Sequence, residues 1–267
     1  MKIALIQLSA AHHKKKNLDK ALRLTLRAVL NKAQFILLPE VFNYRGPAHQ
    51  KTGYHEIAET IPGESTVPFM VYARAHKVFI LVGSLYEKIK GTKKIYNTSV
   101  LITDQGRVAA KYRKIHLFDA RLGKKSIQES EYLLAGESTK TVTIKDFKVG
   151  LSVCYDLRFP ELYGRYKKEG VNIITVPSSF TKPTGQAHFE TLLRARAIEN
   201  LAFVLAPNQF GKTKNGVVTY GNSMVVDPWG KIIARASGHR EEIIYASLDK
   251  KTLAQARKNL PGIAKKI

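Results

Sequence analysis

The sequence has a single cysteine, few acidic residues and none of the common cofactor signatures. The lone cysteine, Cys154, excludes a disulfide framework and any paired-cysteine metal or redox motif, and it favours a cytoplasmic location. No uninterrupted apolar run approaches the roughly 18 residues that a membrane-spanning helix needs, so we predict no membrane association. The glycine- and histidine-based signatures of dinucleotide enzymes, P-loop NTPases, zincins and α/β-hydrolases are absent as well, which argues against those classes.

Acidic residues are scarce relative to basic ones. Among 267 residues, 21 Asp and Glu stand against 44 Lys and Arg, which gives a formal net charge of +23. Such an excess is typical of nucleic-acid-binding proteins, but here the basic residues are scattered along the chain and no nucleic-acid-binding motif accompanies them. We therefore expect only non-specific, salt-sensitive association with nucleic acid, and we keep a basic nucleic-acid-binding protein as the non-enzymatic alternative.

The pattern of hydrophobic residues predicts an α/β protein. Short β-branched runs alternate with longer stretches of helical period, which is typical of sheets that are buried on both faces. Residues 3–8 predict a first strand, and Asn17 is predicted to cap the helix that follows. No linker or internal repeat divides the chain, so we expect a single domain over residues 1–267. The longest stretch without a clear period, 112–136, is predicted to be functional or partly helical.

The surroundings of Cys154 suggest chemistry. It follows a predicted strand over 148–153 and precedes a helix that is predicted to begin at Pro160. A thiol near a helix N-terminus is expected to have a pKa below its free value and to lie beside N–H groups that can bind an oxyanion. Most lone cysteines are small buried hydrophobes, so position alone leaves both interpretations open.

Two further ionisable residues follow predicted strands, where side chains from different strands can converge. Glu40 closes an apolar strand, and Lys114 comes directly after another. A carboxylate could accept the proton of a cysteine nucleophile, and a lysine could stabilise the negative charge that develops on attack. Alternatively, Glu40 faces solvent at a sheet edge and Lys114 is one surface lysine among many.

Three segments carry a resemblance to a known family. The segments 38–40 (Leu-Pro-Glu), 111–118 (Lys-Tyr-Arg-Lys-Ile-His-Leu-Phe) and 153–162 (Val-Cys-Tyr-Asp-Leu-Arg-Phe-Pro-Glu-Leu) resemble the three motifs of the nitrilase superfamily, the carbon–nitrogen hydrolases, in order and spacing. The similarity continues through segments 127–130, 177–180, 184–190, 194–200 and 226–230, and covers roughly residues 3 to 261. The chain is therefore identified as a member of this superfamily.

The resemblance implies a fold, a reaction and partners. The fold is an α/β four-layer αββα sandwich, and the protein is expected to form a homodimer. Details of segments 158–162 and 223–227 look most like the Nit branch, on the side of the amidases of deaminated glutathione. The alternatives are an ω-amidase acting on α-ketoglutaramate, or another member such as a nitrilase or a carbamoylase. The chain differs from its relatives after Leu260 and Pro261, where the segment that follows is shorter than theirs.

The resemblance also implies the site residues. Cys154 is the nucleophile, Glu40 the general base and Lys114 the stabiliser of the tetrahedral intermediate, while Glu129 positions the lysine. The same scheme needs neither a metal nor a cofactor, and its substrate is a small anionic amide. Replacement of Cys154 by Ala or Ser is expected to abolish turnover in a folded protein.

Substrate contacts are predicted near the nucleophile and in the loop after 171–176. They are Tyr155, whose N–H is expected to bind the oxyanion, together with Arg158, Phe180 and Thr184. Arg158 could bind a substrate carboxylate through two parallel hydrogen bonds, or form a salt bridge with Glu161 or Asp156 instead.

Two other groups of residues have competing interpretations. His116 and His188 offer a rival histidine base, although a structural role is favoured for both. Arg196 and Glu199 are spaced to pair along one helix, and together with Arg194 they are expected at a core edge or a dimer interface.

Overall fold

A computed structural model describes residues 1–46, 54–122, 125–214 and 216–264. In chain order its strands are β1 (Lys2–Gln7), β2 (Phe35–Leu37), β3 (Phe79–Lys88), β4 (Ile95–Ile102), β5 (Val108–Arg113), β6 (Asp119–Leu122), β7 (Lys125–Gln128), β8 (Thr141–Ile144), β9 (Phe147–Leu151), β10 (Ile173–Thr175), β11 (Phe203–Ala206), β12 (Phe210–Lys212), β13 (Val218–Tyr220), β14 (Met224–Val226), β15 (Ile232–Arg235) and β16 (Glu242–Ser247). The α-helices are α1 (Lys14–Leu30), α2 (Val67–His76), α3 (Pro160–Lys168), α4 (Lys182–Thr184), α5 (Glu190–Asn200), α6 (Lys250–Asn259) and α7 (Pro261–Ala264).

Two six-stranded sheets form the centre of the molecule. The first has the order β16-β1-β2-β3-β4-β5 and the second the order β15-β14-β11-β10-β9-β8. In the first sheet β1, β2 and β3 are parallel, and β16 returns antiparallel to β1. In the second sheet β9, β10 and β11 are parallel. Each sheet is therefore a parallel centre with antiparallel strands at its flanks.

Alternating side chains of the buried strands explain the layers. Ile3 and Leu5 of β1 pack into the core shared with the second sheet, whereas Ala4 and Ile6 point to the opposite face. On that face they meet the apolar sides of α1 and α2. The helices α3 and α5 pack with the second sheet, in the same core that contains Ile3 and Leu5. Because side chains alternate between the faces of a strand, two buried faces require helices outside both sheets. The result is the predicted four-layer αββα sandwich.

Most predicted elements occur, but one predicted cap was wrong. The structure begins α1 at Lys14, so Asn17 lies inside its first turns and does not cap it. The buried Asn17 amide instead accepts a hydrogen bond from the Ala11 N–H and donates to the carbonyls of Ala11 and Asn43. The Asn17 side chain thus bonds to backbone groups of the preceding loop and holds that loop in place.

Other parts of the chain gained structure that the sequence patterns did not predict. The segment 112–136 contains the end of β5, the hairpin β6–β7 and a short 3₁₀ turn at Glu129–Glu131. The strand β16 and the helix α6 near the C-terminal end were not predicted, and neither was the hairpin β12–β13. None of the helices in the described ranges is both long enough and apolar enough to cross a membrane.

Candidate active site

A cavity of about 220 Å³ lies where segments that follow strands of both sheets meet. Glu40 follows β2, Lys114 follows β5, Cys154 follows β9 and Phe180 follows β10, and all four line the cavity. The volume equals that of about seven water molecules, so the cavity suits a small molecule. The expectation that strand-following residues converge on one site is confirmed.

A buried lysine joins two carboxylates on one wall of this cavity. Lys114, of which 1% is exposed, donates from Nζ to Glu40 Oε1 at 3.0 Å and to Glu129 Oε2 at 2.9 Å. Glu40 is also buried, and its Oε1 accepts a second hydrogen bond, from Asn97 Nδ2 at 3.0 Å. Glu129 is fixed from the other side by the Phe118 N–H, which donates to Oε2 at 2.7 Å. Three of the four groups in the predicted catalytic scheme, Glu40, Lys114 and Glu129, are thus joined in one hydrogen-bonded network.

The two carboxylates keep the lysine charged. Burial alone would lower the pKa of Lys114, but the charges of Glu129 and Glu40 outweigh burial and raise this pKa well above its ordinary value. For Glu129, burial raises the pKa of the carboxyl above its usual range despite the lysine beside it. Lys114 is therefore an ammonium at neutral pH, and its Nζ lies within hydrogen-bond distance of Glu40 Oε1 and of both Glu129 oxygens.

Cys154 sits at a sharp turn between β9 and α3. Its φ of +48° is rare for a residue with a side chain and has a cost of about 1–2 kcal/mol. The turn continues as a 3₁₀ segment over Cys154–Arg158 before α3 begins at Pro160, so the predicted strand, turn and helix are confirmed. The Cys154 N–H donates to the Pro177 carbonyl at 2.9 Å.

The buried carboxylate of Asp156 holds this turn in place. It accepts hydrogen bonds from the Val153 N–H at 2.9 Å, from the Tyr112 hydroxyl at 2.8 Å and from the His116 N–H at 2.9 Å. The His116 ring nitrogen Nδ1 also lies 2.8 Å from Asp156. Since Asp156 links the turn to β5 and to the residues after it, it fixes the nucleophile relative to Lys114. The sequence analysis considered Asp156 only as a partner of Arg158.

The predicted low pKa of the thiol was wrong in direction. Burial and the negative charge of Glu40, which accepts a hydrogen bond from the thiol, raise the pKa of Cys154 well above its ordinary value. Lys114 and the Ser179 N–H act in the opposite direction and are outweighed. The 3₁₀ turn is too short to supply the dipole of a full helix, so a neighbouring carboxylate decides the result. The resting cysteine is a neutral thiol that donates to Glu40.

All four predicted substrate-contact residues line the cavity. Tyr155, Arg158, Phe180 and Thr184 contribute to its wall. Arg158 forms no salt bridge with Glu161 or Asp156, and its guanidinium lies over the rings of Tyr155 and Phe180 at 5.6 and 5.4 Å and 3.2 Å from His188 Nδ1. The salt-bridge alternative for Arg158 is therefore wrong.

The rival histidine base is not assembled in this structure. Neither His116 nor His188 lines the cavity. His116 stacks on Phe159 with ring centroids 3.7 Å apart and binds Asp156, while His188 contacts Arg158. The predicted pairing of Arg196 with Glu199 is confirmed at 2.9 Å. Within the described ranges, no cluster of three or more His, Cys, Asp or Glu side chains is arranged to hold a metal ion.

Several residues that line the cavity or contact its catalytic candidates carry no signal in the sequence patterns. Asn97 binds Glu40 from the middle of β4, and the rings of Tyr54, Tyr86 and Tyr132 form a contiguous aromatic wall. Arg45, five residues after Glu40, lines the cavity as a buried cation. No spacing signal identifies these residues, because they come from strand interiors and loops that only the fold brings together.

Comparison with protein families gives one match over most of the chain. Residues 2–258 match the family described as carbon–nitrogen hydrolase. The omega-amidase NIT2 of Mus musculus is 38% identical over 266 residues, which cover 99% of this chain and 94% of the relative. The human omega-amidase NIT2 has the same identity and coverage.

Solved structures give the same result for the fold. The NitFhit protein of C. elegans superposes with a TM-score of 0.91 at 35% identity; the match covers 98% of this chain and 64% of NitFhit. Saccharomyces cerevisiae Nit3, a member of branch 10 of the nitrilase superfamily, superposes with a TM-score of 0.86 at 34% identity, covering 98% and 94% of the two chains.

Proposed function

Because the chain belongs to the carbon–nitrogen hydrolase family, we propose that it is an ω-amidase, which hydrolyses the terminal amide of a small carboxylate-bearing molecule to an acid and ammonia. Family membership makes the protein a hydrolase of carbon–nitrogen bonds, and the substrate is our proposal. The observation that carries it is the position of Glu40, whose carboxylate contacts both the Cys154 thiol and the Lys114 ammonium in a buried cavity.

In the first half of the reaction the cysteine displaces ammonia. Glu40 takes the thiol proton as Sγ forms a bond to the amide carbon, and the carbonyl oxygen becomes an oxyanion. The protonated Glu40 then gives its proton to the amide nitrogen. The carbon–nitrogen bond breaks, ammonia leaves and a thioester remains on Cys154.

In the second half water releases the acid. Glu40, again a carboxylate, takes a proton from a water molecule that attacks the thioester carbon. The carbon–sulfur bond of the second tetrahedral intermediate breaks, and Glu40 returns its proton to sulfur. The neutral thiol that donates to Glu40 is thus both the starting and the final state.

Lys114 supports both halves by binding the oxyanion. Its three N–H donors face Glu40 Oε1 and the two Glu129 oxygens, and in this scheme the donor to the longer Glu129 contact, at 3.1 Å, turns to the developing charge. Loss of one such donor typically costs about 3–4 kcal/mol of transition-state stabilisation. Glu129 acts through Lys114, because its carboxylate orients the ammonium. Tyr155, whose ring contacts Phe118, adds its N–H as the second oxyanion donor in this scheme.

The substrate preference differs from the one that the sequence segments suggested. Segments 158–162 and 223–227 favoured deaminated glutathione, whereas the relatives at 38% identity carry the name omega-amidase. Their similarity over 99% of the chain supports the ω-amidase alternative better than the original preference. A short dicarboxylic acid monoamide also agrees with a cavity of about 220 Å³.

The test is ammonia release by the purified protein. We expect α-ketoglutaramate and succinamate to be hydrolysed with a higher kcat/KM than deaminated glutathione. A preference for deaminated glutathione would reverse the substrate assignment. The absence of release from every amide, together with tight and salt-resistant binding to nucleic acid, would favour the non-enzymatic alternative.

We also propose that the protein forms a homodimer. Two large apolar side chains, Ile198 and Trp229, are 39% and 54% exposed, and Gly230 in the turn beside Trp229 packs against Ile198. Light scattering on the purified chain should give twice the monomer mass, and Trp229→Glu should shift the protein toward the monomer. A monomeric wild type at micromolar concentration would contradict the proposal.

A further inference from the structure

The cavity contains a second buried cation, and it is held very differently from Lys114. Arg45 is 8% exposed and lines the cavity together with the catalytic groups. It follows β2 on the same loop as Glu40, so the loop that supplies the proposed base also supplies this guanidinium. The neighbouring segment 47–53 lies outside the described residues.

Within the part of the chain that the structure describes, the hydrogen bonds of the guanidinium go only to neutral groups. Nη1 donates to Thr219 Oγ1 at 2.8 Å, and Nη2 donates to the carbonyls of Phe210 at 3.1 Å and Gly211 at 3.4 Å. A guanidinium has five N–H donors, so two have no partner among the described residues. One of these is Nε, which is buried and has no partner.

No carboxylate of the described residues forms an ion pair with Arg45, although ion pairs are found elsewhere, including in the same cavity. The segments outside the described ranges contain no Asp or Glu. Burial without a compensating negative charge lowers the pKa of Arg45 to about 10. A buried cation normally occurs with an anionic partner, because the charged group loses its hydration on burial.

Arg158, the other cavity arginine, already has partners. It is only partly buried, and His188 and the rings of Tyr155 and Phe180 surround it. Arg45 and Arg158 come from different loops. Thr181 and Thr219, which form a β-bridge with each other, also line the cavity. The hydroxyl groups on this wall are engaged with protein groups: Thr219 donates to the Gly211 carbonyl at 3.0 Å, and the hydroxyls of Thr181 and Thr184 bond to each other at 2.8 Å.

We propose that Arg45 binds a carboxylate group of the substrate and is a specificity-determining residue of the cavity. The inference rests on the proposed amidase function and restricts its substrates to amides that carry a carboxylate within reach of this wall. A carboxylate fits because a guanidinium binds it through charge-assisted hydrogen bonds, and because an anion is the partner that the buried cation lacks.

The first test compares two substrates of nearly equal shape. Succinamate carries a carboxylate where succinamide carries a neutral amide. In Arg45→Met we expect the ratio of kcat/KM for succinamate to that for succinamide to fall about 10- to 100-fold, with most of the loss in KM. An unchanged ratio in a folded Arg45→Met variant would overturn the proposal.

A matched control exists on α6. Arg257 also has a buried Nε without a partner, contacts the Val171 carbonyl and does not line the cavity. Arg257→Met should leave the ratio unchanged, which separates substrate recognition from the general effect of losing a buried arginine. Should Arg45→Met fail to fold, Arg45→Gln keeps a polar group near Thr219 and is expected to give the same fall in the ratio; an unchanged ratio there also overturns the proposal.

A second test needs no turnover and therefore separates this inference from the amidase proposal. Succinate binding is measured by calorimetry in Cys154→Ala and in Cys154→Ala with Arg45→Met. We expect the dissociation constant to rise about 10- to 100-fold in the double variant. Equal binding in both would overturn the role of Arg45 even if ω-amides are hydrolysed. Weakened binding without any ω-amide hydrolysis would support Arg45 and contradict the proposed function.

Discussion

Lys114 and Arg45 are two buried cations in one cavity, and their surroundings are opposite. The region around Lys114 contains two carboxylates, and the pKa of the lysine is raised. The region around Arg45 offers a hydroxyl and two carbonyls, and the pKa of the arginine is lowered to about 10. The difference distinguishes a charge that the fold has already neutralised from one that has no anionic partner among the residues that the structure describes.

This distinction separates chemistry from recognition. Glu40, Lys114 and Glu129 are bound to one another, so their geometry is set before a substrate arrives. Such preorganisation is what a transition state requires. Arg45 has no carboxylate partner among the described residues, so an anionic ligand would add a charge-assisted contact there that these residues do not make. Substitutions in the two regions should therefore have different effects on activity and on stability.

The largest effect is expected in the chemical region, at Cys154. Cys154→Ala removes the proposed nucleophile and should reduce ammonia release by at least about 10⁴-fold. The melting temperature should change little, since a methyl group replaces a thiol at a site that is nearly closed to solvent. Turnover by the folded variant within tenfold of wild type would refute the thioester mechanism. Cys154→Ser provides a second folded control.

Substitution of each cation should change the free energy of unfolding by a different amount. Lys114→Met leaves two carboxylates buried without a counter-charge, so we expect about 3–5 kcal/mol of destabilisation and a 10²- to 10³-fold fall in kcat. Arg45→Met removes a buried charge, which should raise the unfolding free energy by about 3 kcal/mol. It also removes three hydrogen bonds of about 1 kcal/mol each, and these two effects cancel. Its unfolding free energy should stay within about 1 kcal/mol of wild type.

Urea unfolding at pH 7 measures both variants. A raised pKa means that the contribution of Lys114 is complete below its ordinary value and disappears only as the pH rises through the folded-state value. Neutral pH is thus the right condition. Equal destabilisation by the two substitutions would remove the distinction between the two regions.

A smaller effect concerns the thiol and its carboxylate. Burial and the negative charge of Glu40 raise the pKa of Cys154, and Glu40→Gln removes the second of these causes, so this pKa should fall. Since Cys154 is the sole cysteine, the pH dependence of alkylation by iodoacetamide reports on this thiol alone. Glu161→Gln, at an exposed position of α3, is the control. A midpoint that stays fixed or moves to higher pH in Glu40→Gln contradicts the prediction.

The smallest effect concerns the recognition region and uses ligand-induced stabilisation. Succinate at about 100 times its dissociation constant stabilises the folded state by about 2.7 kcal/mol, which for a chain of this size raises the melting temperature by roughly 5–8 °C. In Arg45→Met, whose dissociation constant should be about 10- to 100-fold higher, the shift at the same concentration should be about half as large or smaller. A full shift in that variant would show that the carboxylate binds elsewhere.

The sequence predicted the buried centre of the fold better than its periphery. Apolar runs such as those of β1 and β3 indicate strands because both faces are covered, so almost every side chain is hydrophobic. The strand β16 alternates less clearly, because only Ile244 among its side chains is fully buried. Asn17 was predicted to be a cap because its residue type favours caps. Only the structure shows that its side chain bonds to the backbone of Ala11 and Asn43 instead.

The site divides in the same way. Cys154, Glu40 and Lys114 follow strands within short motifs, so local sequence was enough to single them out. Asn97 reaches Glu40 through tertiary packing, and Arg45, although it shares a loop with Glu40, belongs to no motif that would single it out. The thiol pKa was mispredicted because burial and the charge of Glu40, which lies far away in the sequence, outweigh the adjoining turn.

The neutral state of the resting thiol also has a consequence for the lifetime of the enzyme. Peroxides oxidise thiolates to sulfenic acid and then to irreversible sulfinic and sulfonic acids, whereas a protonated thiol reacts far more slowly. By holding its proton against Glu40 between turnovers, Cys154 exposes a reactive sulfur only while an amide is under attack. The carboxylate that starts catalysis is thereby also expected to protect the nucleophile from oxidative damage.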